Sequence, residues 1–220
     1  MAPSMKRQDR DPNLMKEREI IKGKAKAFLE DRKNANELVE ILSYFADERA
    51  EILLSAIRAV HKLFCHVINS KSMVLQKSTL ELGDNEGSTA EKYRVWLQGL
   101  YADTIDQLLS QLNSRHENVA ELAVTTLLKF LEREGTNPLV QVEDVKYPTF
   151  PTKLFAAIMD HALSSEADSG RLILRLTESL EFADMRLHCL RQVSDSILKK
   201  RDQVVIFYVC GTLGAWEGNP

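Results

Sequence analysis

The residues of this 220-residue chain best suited to bind a metal or act as nucleophiles are its five histidines and three cysteines. Their densest grouping is His61, Cys65 and His66, followed at a distance by His116, His161, His188 and Cys189. One helical turn would bring His61 and Cys65 to the same side. Structural zinc sites, however, combine two closely spaced ligand pairs, and the sequence has neither a Cys-x-x-Cys nor a His-Glu-x-x-His element. Cys65 also falls beside an apolar helical stripe, where cysteine commonly serves as a small buried hydrophobe. Neither a metal nor a cofactor is expected.

Acyl-transfer chemistry would need a serine on a glycine-flanked elbow or a cysteine with a base at hand, and neither context occurs. The glycine clusters, Gly83 to Gly87 and the late Gly211, Gly214 and Gly218, are not followed by the Lys-Ser/Thr pair of a phosphate-binding loop. Paired carboxylates such as Asp103 and Asp106, or Glu132 and Glu134, have the spacing of solvated helix faces. The sequence nominates no catalytic residue, and a non-enzymatic protein is expected. Only a strongly perturbed titratable cluster in a deep pocket would revive an enzyme.

Two groupings could bind macromolecules. Lys16, Arg18, Lys22, Lys24, Lys26, Arg32 and Lys33 outnumber Glu17, Glu19, Glu30 and Asp31 in the first helical stretch, a surface able to neutralise RNA phosphates or meet an acidic partner. The competing reading is a solvated face, since aromatics that would stack bases are not interleaved. Lys92-Tyr93-Arg94-Val95-Trp96, with Tyr101 further along, could anchor a partner protein or pack between repeats. The short cluster Lys199-Lys200-Arg201 complements a helix C-terminus.

Whole-chain numbers set the limits on these surfaces. Twenty-nine Lys and Arg against 32 Asp and Glu give a net charge of -3, so attraction to an anionic partner has to be local. Three unpatterned cysteines indicate free thiols and a reducing compartment. The longest apolar run, Val204 to Val209, is too short to cross a bilayer, and Met1 to Asp11 lacks the apolar region of a secretory signal.

Apolar residues recur at three- and four-residue spacing, whereas strand-type alternation is nearly absent before Val204. Helices are predicted over about Asn13 to Arg32, Asn36 to Phe45 and Asp47 to Ile68, the last with Asp47 as N-cap. After an exposed loop at about 69–88, Ser88 or Thr89 is expected to cap a helix reaching about Leu112, and with Ser88 as the cap, Glu91 three residues on would complete a capping box. The next, Glu117 to Glu134, is expected to stop at a left-handed Gly135 followed by Pro138. Pro148 and Pro151 bracket an extended connector. Further helices are predicted at about Thr152 to Leu163, Asp168 to Phe182 and Asp184 to Lys200. The predicted organisation is a disordered arm (1–12), a helical-repeat domain (13–202) and a poorly ordered tail (203–220).

An internal repeat supports that organisation. At an offset of 67 positions, Leu38, Ile41, Leu42, Ser43, Ala56 and Lys62 meet Ile105, Leu108, Leu109, Ser110, Ala123 and Lys129, and Leu63-Phe64 meet Phe130-Leu131. Each half reads as helix, polar turn, helix, the unit that stacks into a solenoid. The expected fold class is all-α, a HEAT/armadillo-like stack of antiparallel helix pairs, with a non-repeating helical bundle as the alternative.

The same segments resemble the amino-terminal region of the nucleolar complex protein 4 homologues, grouped with the CCAAT-binding-factor-like family. The resemblance rests on Arg32-x-x-x-Asn36 leading to Glu40-Ile41-Leu42, on Lys92-Tyr93-Arg94-Val95-Trp96, and on Leu127-Leu128-Lys129-Phe130 leading to Glu134-Gly135-x-x-Pro138-Leu139. It continues through Phe150-Pro151-x-x-Leu154-Phe155 and Asp184-x-Arg186-x-His188, covering about Phe28 to Asp202. It implies a non-enzymatic nucleolar factor of the small-subunit processome, needed for small-subunit ribosomal RNA maturation and pre-subunit export, and paired with nucleolar protein 14. The family continues into a larger carboxy-terminal helical region, and the stretch after Asp202 matches no family segment, so an alternative or truncated end is expected. The reading that competes with this one is a generic helical-repeat adaptor outside the nucleolus.

Overall fold

The structure, a computed structural model, describes residues 12–76, 88–141, 149–163 and 170–198. The predicted arm up to residue 11, most of the predicted loop and the tail after Asp202 lie outside the described residues. The chain divides into two compact units, Met1–Leu63 and Phe64–Pro220.

In the first unit, α1 (Pro12–Glu30) packs against α2 (Asn36–Ser43). Ile21, Ala25 and Phe28 recur at helical spacing and are buried, as are Leu38 and Ile41 of α2. Where α1 stops, a 3-10 turn takes over, and the Asn34 side chain donates to the Ala27 carbonyl at 2.9 Å, which also accepts the Asp31 N–H at 3.2 Å. A second 3-10 turn over Tyr44–Ala46 buries Phe45 before α3 (Ala50–Asn69) begins. Helix α3 thus starts three residues after the predicted Asp47. The Asp47 carboxylate does not cap it; Oδ1 accepts from the Arg49 backbone N–H at 2.8 Å in a turn ahead of the helix.

Helix α3 runs to Asn69 and closes with Lys71 at φ 55°, while the Ser72 N–H donates to the Val67 carbonyl at 3.1 Å. That is a left-handed C-terminal closure made without glycine. In the second unit, α4 (Thr89–Gln111) opens with the predicted capping box: Ser88 Oγ accepts from the Glu91 N–H, and the Glu91 carboxylate accepts from the Ser88 N–H at 2.7 Å. Leu97, Tyr101, Thr104 and Leu108 form its buried stripe. Helix α5 (Glu117–Thr136) packs on α4 and buries a much broader face, because α6 (Thr152–Ala162) and α7 (Gly170–Glu178) also lie against it. Helix α8 (Ala183–Leu198) packs on α6 through a face that includes Met185, Cys189 and Val193.

Gly135 does not stop α5 in the predicted manner. No described glycine has a positive φ, and α5 runs through Gly135 to Thr136 before Asn137 leaves the helix. Two short strands were also not foreseen. Leu75–Gln76 (β1) and Val140–Gln141 (β2) pair in parallel, Leu75 opposite Val140. Gln98 on α4 pins both segments, its amide donating to the Met73 carbonyl at 2.7 Å and the Leu139 carbonyl at 3.0 Å. Two residues per strand are too few to leave an alternating pattern.

The sequence repeat has a structural counterpart inside each helix pair. Ile41 and Leu108 are fully buried, as are Ala56 and Ala123, and Leu63 and Phe130. Ser43 and Ser110 are both exposed, and each hydroxyl bonds back to a carbonyl of its own helix, Glu40 and Asp106 respectively. Leu38 is buried where Ile105 is half-buried, so the correspondence is close without being complete.

Candidate functional site

The basic residues of the first stretch divide by the face of α1 they occupy. At about 100° per residue, Arg18, Lys22 and Lys26 fall within one stripe that flanks the face of Ile21, Ala25 and Phe28. All three are exposed, as is Lys16. The stripe is not purely basic: Lys22 lies 3.6 Å from Glu19 and Lys26 lies 3.6 Å from Glu30, with all four side chains well exposed. Lys33 is exposed beyond the helix end, and the side chain of Arg32 lies outside the described residues.

Lys24 does not belong to this surface. It lies at the edge of the buried face, 20 % exposed, and its ammonium is held by Glu37 at 2.7 Å and by Glu40. Those hydrogen bonds push its pKa above the ordinary lysine value, against a smaller opposing effect of burial. Lys24 therefore fastens α1 to α2. Arg49 does similar work between the turn before α3 and the start of α1, bonding both Asp47 and Glu17.

The aromatic group divides in the same way. Tyr93 and Trp96 are half-buried on α4 with ring centroids 5.6 Å apart, and Val95 beside them is 46 % exposed. Tyr101 is withdrawn from any contact surface: it is 3 % exposed, packed 5.0 Å from Phe64 and 5.3 Å from Phe130 between ring centroids. Its hydroxyl donates to Glu134 Oε1 at 2.6 Å. Burial holds the phenol above its ordinary pKa and pushes the Glu134 carboxyl up to about 7, with the Tyr101 hydrogen bond pulling Glu134 back. Glu134 is thus not the solvated carboxylate predicted for it, although Glu132, Asp103 and Asp106 are exposed as expected. A signal was present: Glu134 continues the Leu127, Phe130, Leu131 stripe at helical spacing.

Of the candidate ligands, His61 and Cys65 are half-buried and His66 is exposed. Among the described residues, no three His, Cys, Asp or Glu side chains converge as a metal site. Cys65 and the buried Cys189 are not joined in a disulfide among the described residues, and burial raises the Cys65 pKa while Arg133 and Lys129 draw it down. Among the described residues, no helix is long and apolar enough to cross a membrane.

The motif residues around Phe150 and His188 meet in space. The Phe150 ring stacks on the His188 imidazole with centroids 3.8 Å apart and planes 6° apart, and it meets Phe155 edge-on at 5.2 Å. Arg186 donates to the Leu180 and Glu181 carbonyls, at 2.8 and 3.0 Å, closing the 3-10 turn before α8. Arg175 of α7 bonds Glu121 of α5 and, at 3.0 Å, Glu178 of its own helix. These groups join elements of the fold to one another.

The described residues thus form helix pairs whose polar chemistry is spent largely on joining helices, with exposed functional groups on outer faces. The chain belongs to the nucleolar complex protein 4 family: residues 12–203 match the model of the nucleolar complex protein 4-like TPR repeats. Its repeats are thus of the TPR kind and not the predicted HEAT kind, both being stacks of helix hairpins. Among similar proteins is nucleolar complex protein 4 homolog B of Xenopus laevis, 31 % identical over 82 % of this chain and 35 % of that protein. The homolog of Gallus gallus is 30 % identical over 82 % of this chain and 36 % of that protein. The homolog of Homo sapiens is 27 % identical over 89 % and 38 %. The chain spans somewhat over a third of the length of these relatives. No solved structure matches it at a comparable level of significance.

Proposed function

We propose that this chain forms the helical-repeat part of a non-catalytic scaffold in ribosome biogenesis, acting in the nucleolus on the small-subunit processome. Its role there is to hold proteins and precursor RNA in position during small-subunit ribosomal RNA processing and pre-40S maturation and export. The observation that carries this reading is the family match, which runs through all four described segments. The relatives are nucleolar by name.

The reading assigns Arg18, Lys22 and Lys26, with Lys16 and Lys33 beside them, to RNA phosphates or an acidic partner surface, because they are exposed and gathered on one side of α1. Tyr93 and Trp96 are assigned to protein contact, being half-buried and next to the exposed Val95. Nucleolar protein 14 and other processome proteins are the partners this reading expects. Affinity purification of the tagged chain from nuclear extract tests it. Small-subunit precursor RNA and processome proteins should be enriched over a tag-only control. Recovery of cytoplasmic transport or signalling proteins in their place would overturn it.

A further inference from the structure

The inner side of α4 is taken up by Leu97, Tyr101, Thr104 and Leu108. At about 100° per residue, Lys92, Val95, Gly99, Asp103 and Asp106 share the opposite side within an arc of about 80°, bounded by Ala102 on one flank and Trp96 on the other. All of these but the half-buried Trp96 are exposed. This outer face begins with a cation, ends with two carboxylates, and is small or apolar between them. Lys92, Asp103 and Asp106 take part in no ion pair among the described residues.

Gly99 is the member of this face that the chain's own packing does not explain. Glycine weakens a helix interior relative to alanine, yet a Cβ at Gly99 would meet nothing within 4 Å. What a bare position offers is close approach of another backbone. Gly23 on α1 is as open, but the nearby carboxylates of Glu19 and Glu30 are already paired with Lys22 and Lys26.

The pattern around Gly99 is complementary to itself. Lys92 lies seven residues before Gly99 and Asp106 seven after it. Two antiparallel copies of α4 crossing at Gly99 therefore set each Lys92 level with Asp106 of the other copy, about 10 Å along the axis from the crossing point. Asp103 stands one turn nearer the crossing, and Trp96 falls level with Ala102. Opposite charges then meet at both ends of the contact, and the bare glycines let the backbones approach between them. A parallel pairing would instead oppose Lys92 to Lys92 and Asp106 to Asp106, which like charges disfavour.

We propose that the outer face of α4 is a two-fold interface between copies of this chain, antiparallel and centred on Gly99, with Lys92 of each copy paired to Asp106 of the other. This contact goes beyond the assignment of Tyr93 and Trp96 and does not rest on the nucleolar reading. A single helix crossing is small beside the area a stable interface buries, so the association is weak. Sedimentation velocity of the purified 220-residue chain over a concentration series tests it. The expected result is a monomer–dimer equilibrium, weakened by at least about tenfold by Lys92→Asp and by Asp106→Lys, each of which sets like charges opposite one another. An equimolar mixture of these two variants should recover the parent's dimer, because opposite charges then face each other at both ends. Gly99→Leu should abolish the dimer while raising the melting temperature, since leucine is the better helix former. Circular dichroism checks that each variant keeps its helices. A parent that stays monomeric at every concentration, a dimer indifferent to Gly99→Leu and to both charge reversals, or a mixture as dissociated as each variant alone would each overturn the proposal.

Discussion

The phenol of Tyr101 on α4 donates to Glu134 Oε1 on α5 at 2.6 Å, tying the two helices together where Tyr101 is buried and Glu134 half-buried. This polar bond lies inside an otherwise apolar seam, and it makes the stability of the second unit sensitive to pH.

Burial raises the Glu134 carboxyl from 4.5 to about 7. Between those values the folded chain binds a proton that the unfolded chain has released, so stability falls as pH rises through this window and levels off above it. A shift of that size corresponds to about 3 kcal/mol. Urea denaturation from pH 5 to pH 8 should show the parent losing stability over this range and Glu134→Gln losing far less. Tyr101→Phe should cost about 1–3 kcal/mol at pH 8, where a charged carboxylate is left without its donor. Parallel pH curves for the parent and Glu134→Gln would contradict this account.

Phe130 is fully buried between Tyr101 and Phe64, the latter ring 6.1 Å away edge-on. Phe130→Ala should therefore cost about 3–5 kcal/mol, the range for emptying an aromatic site in a close-packed core. Leu174→Ala, at a position 60 % exposed, should change stability by no more than about 0.5 kcal/mol. Denaturation midpoints of the two variants give the comparison directly.

Among the described residues the left-handed position is Lys71, φ 55°, and not Gly135, which is helical. Lys71→Gly should stabilise the chain by about 1 kcal/mol, because glycine adopts that conformation without the clash of a Cβ. Gly135→Ala should also stabilise it, by about 0.5–1 kcal/mol. The added methyl would meet Pro151 at 3.8 Å, an ordinary contact. Thermal denaturation of the two single variants checks both signs.

The helices were legible because their cores repeat at one period. Ile21, Ala25 and Phe28, or Leu154, Ile158 and Ala162, announce a buried face without any knowledge of the partner helix. The capping box at Ser88 and Glu91 was legible for the same reason, being local. What the sequence concealed was decided by neighbours distant along the chain. Glu134 reads as a surface carboxylate until Tyr101, on another helix, is placed over it. Lys24 reads as one cation among seven until Glu37 and Glu40 close on it. Gly135 lies inside α5 and Lys71 takes the left-handed position, which residue type alone did not announce. The motifs that carry the family resemblance, Phe150 with Phe155 and His188 among them, turn out to specify helix packing.

Lys24 and the stripe of Arg18, Lys22 and Lys26 should separate cleanly by experiment. Lys24→Ala should cost about 1 kcal/mol, the scale of a partly exposed ion pair, and leave RNA affinity unchanged. Changing Arg18, Lys22 and Lys26 together to Ala should leave stability nearly unchanged. That triple variant should also reduce the slope of log affinity against log salt for single-stranded precursor RNA by about 2. Filter binding across a salt series, with urea denaturation of the same proteins, reads both effects.

The central claim is that this fold works by presenting outer faces to a nucleolar assembly. Crosslinking mass spectrometry of the chain in nuclear extract, with ultraviolet crosslinking of RNA in parallel, tests it most directly. The account predicts protein crosslinks to small-subunit processome components on the faces bearing Tyr93 and Trp96, and RNA adducts on small-subunit precursor RNA at the Arg18–Lys26 stripe of α1. Crosslinks confined to proteins unrelated to ribosome assembly, with no precursor RNA attached, would contradict it.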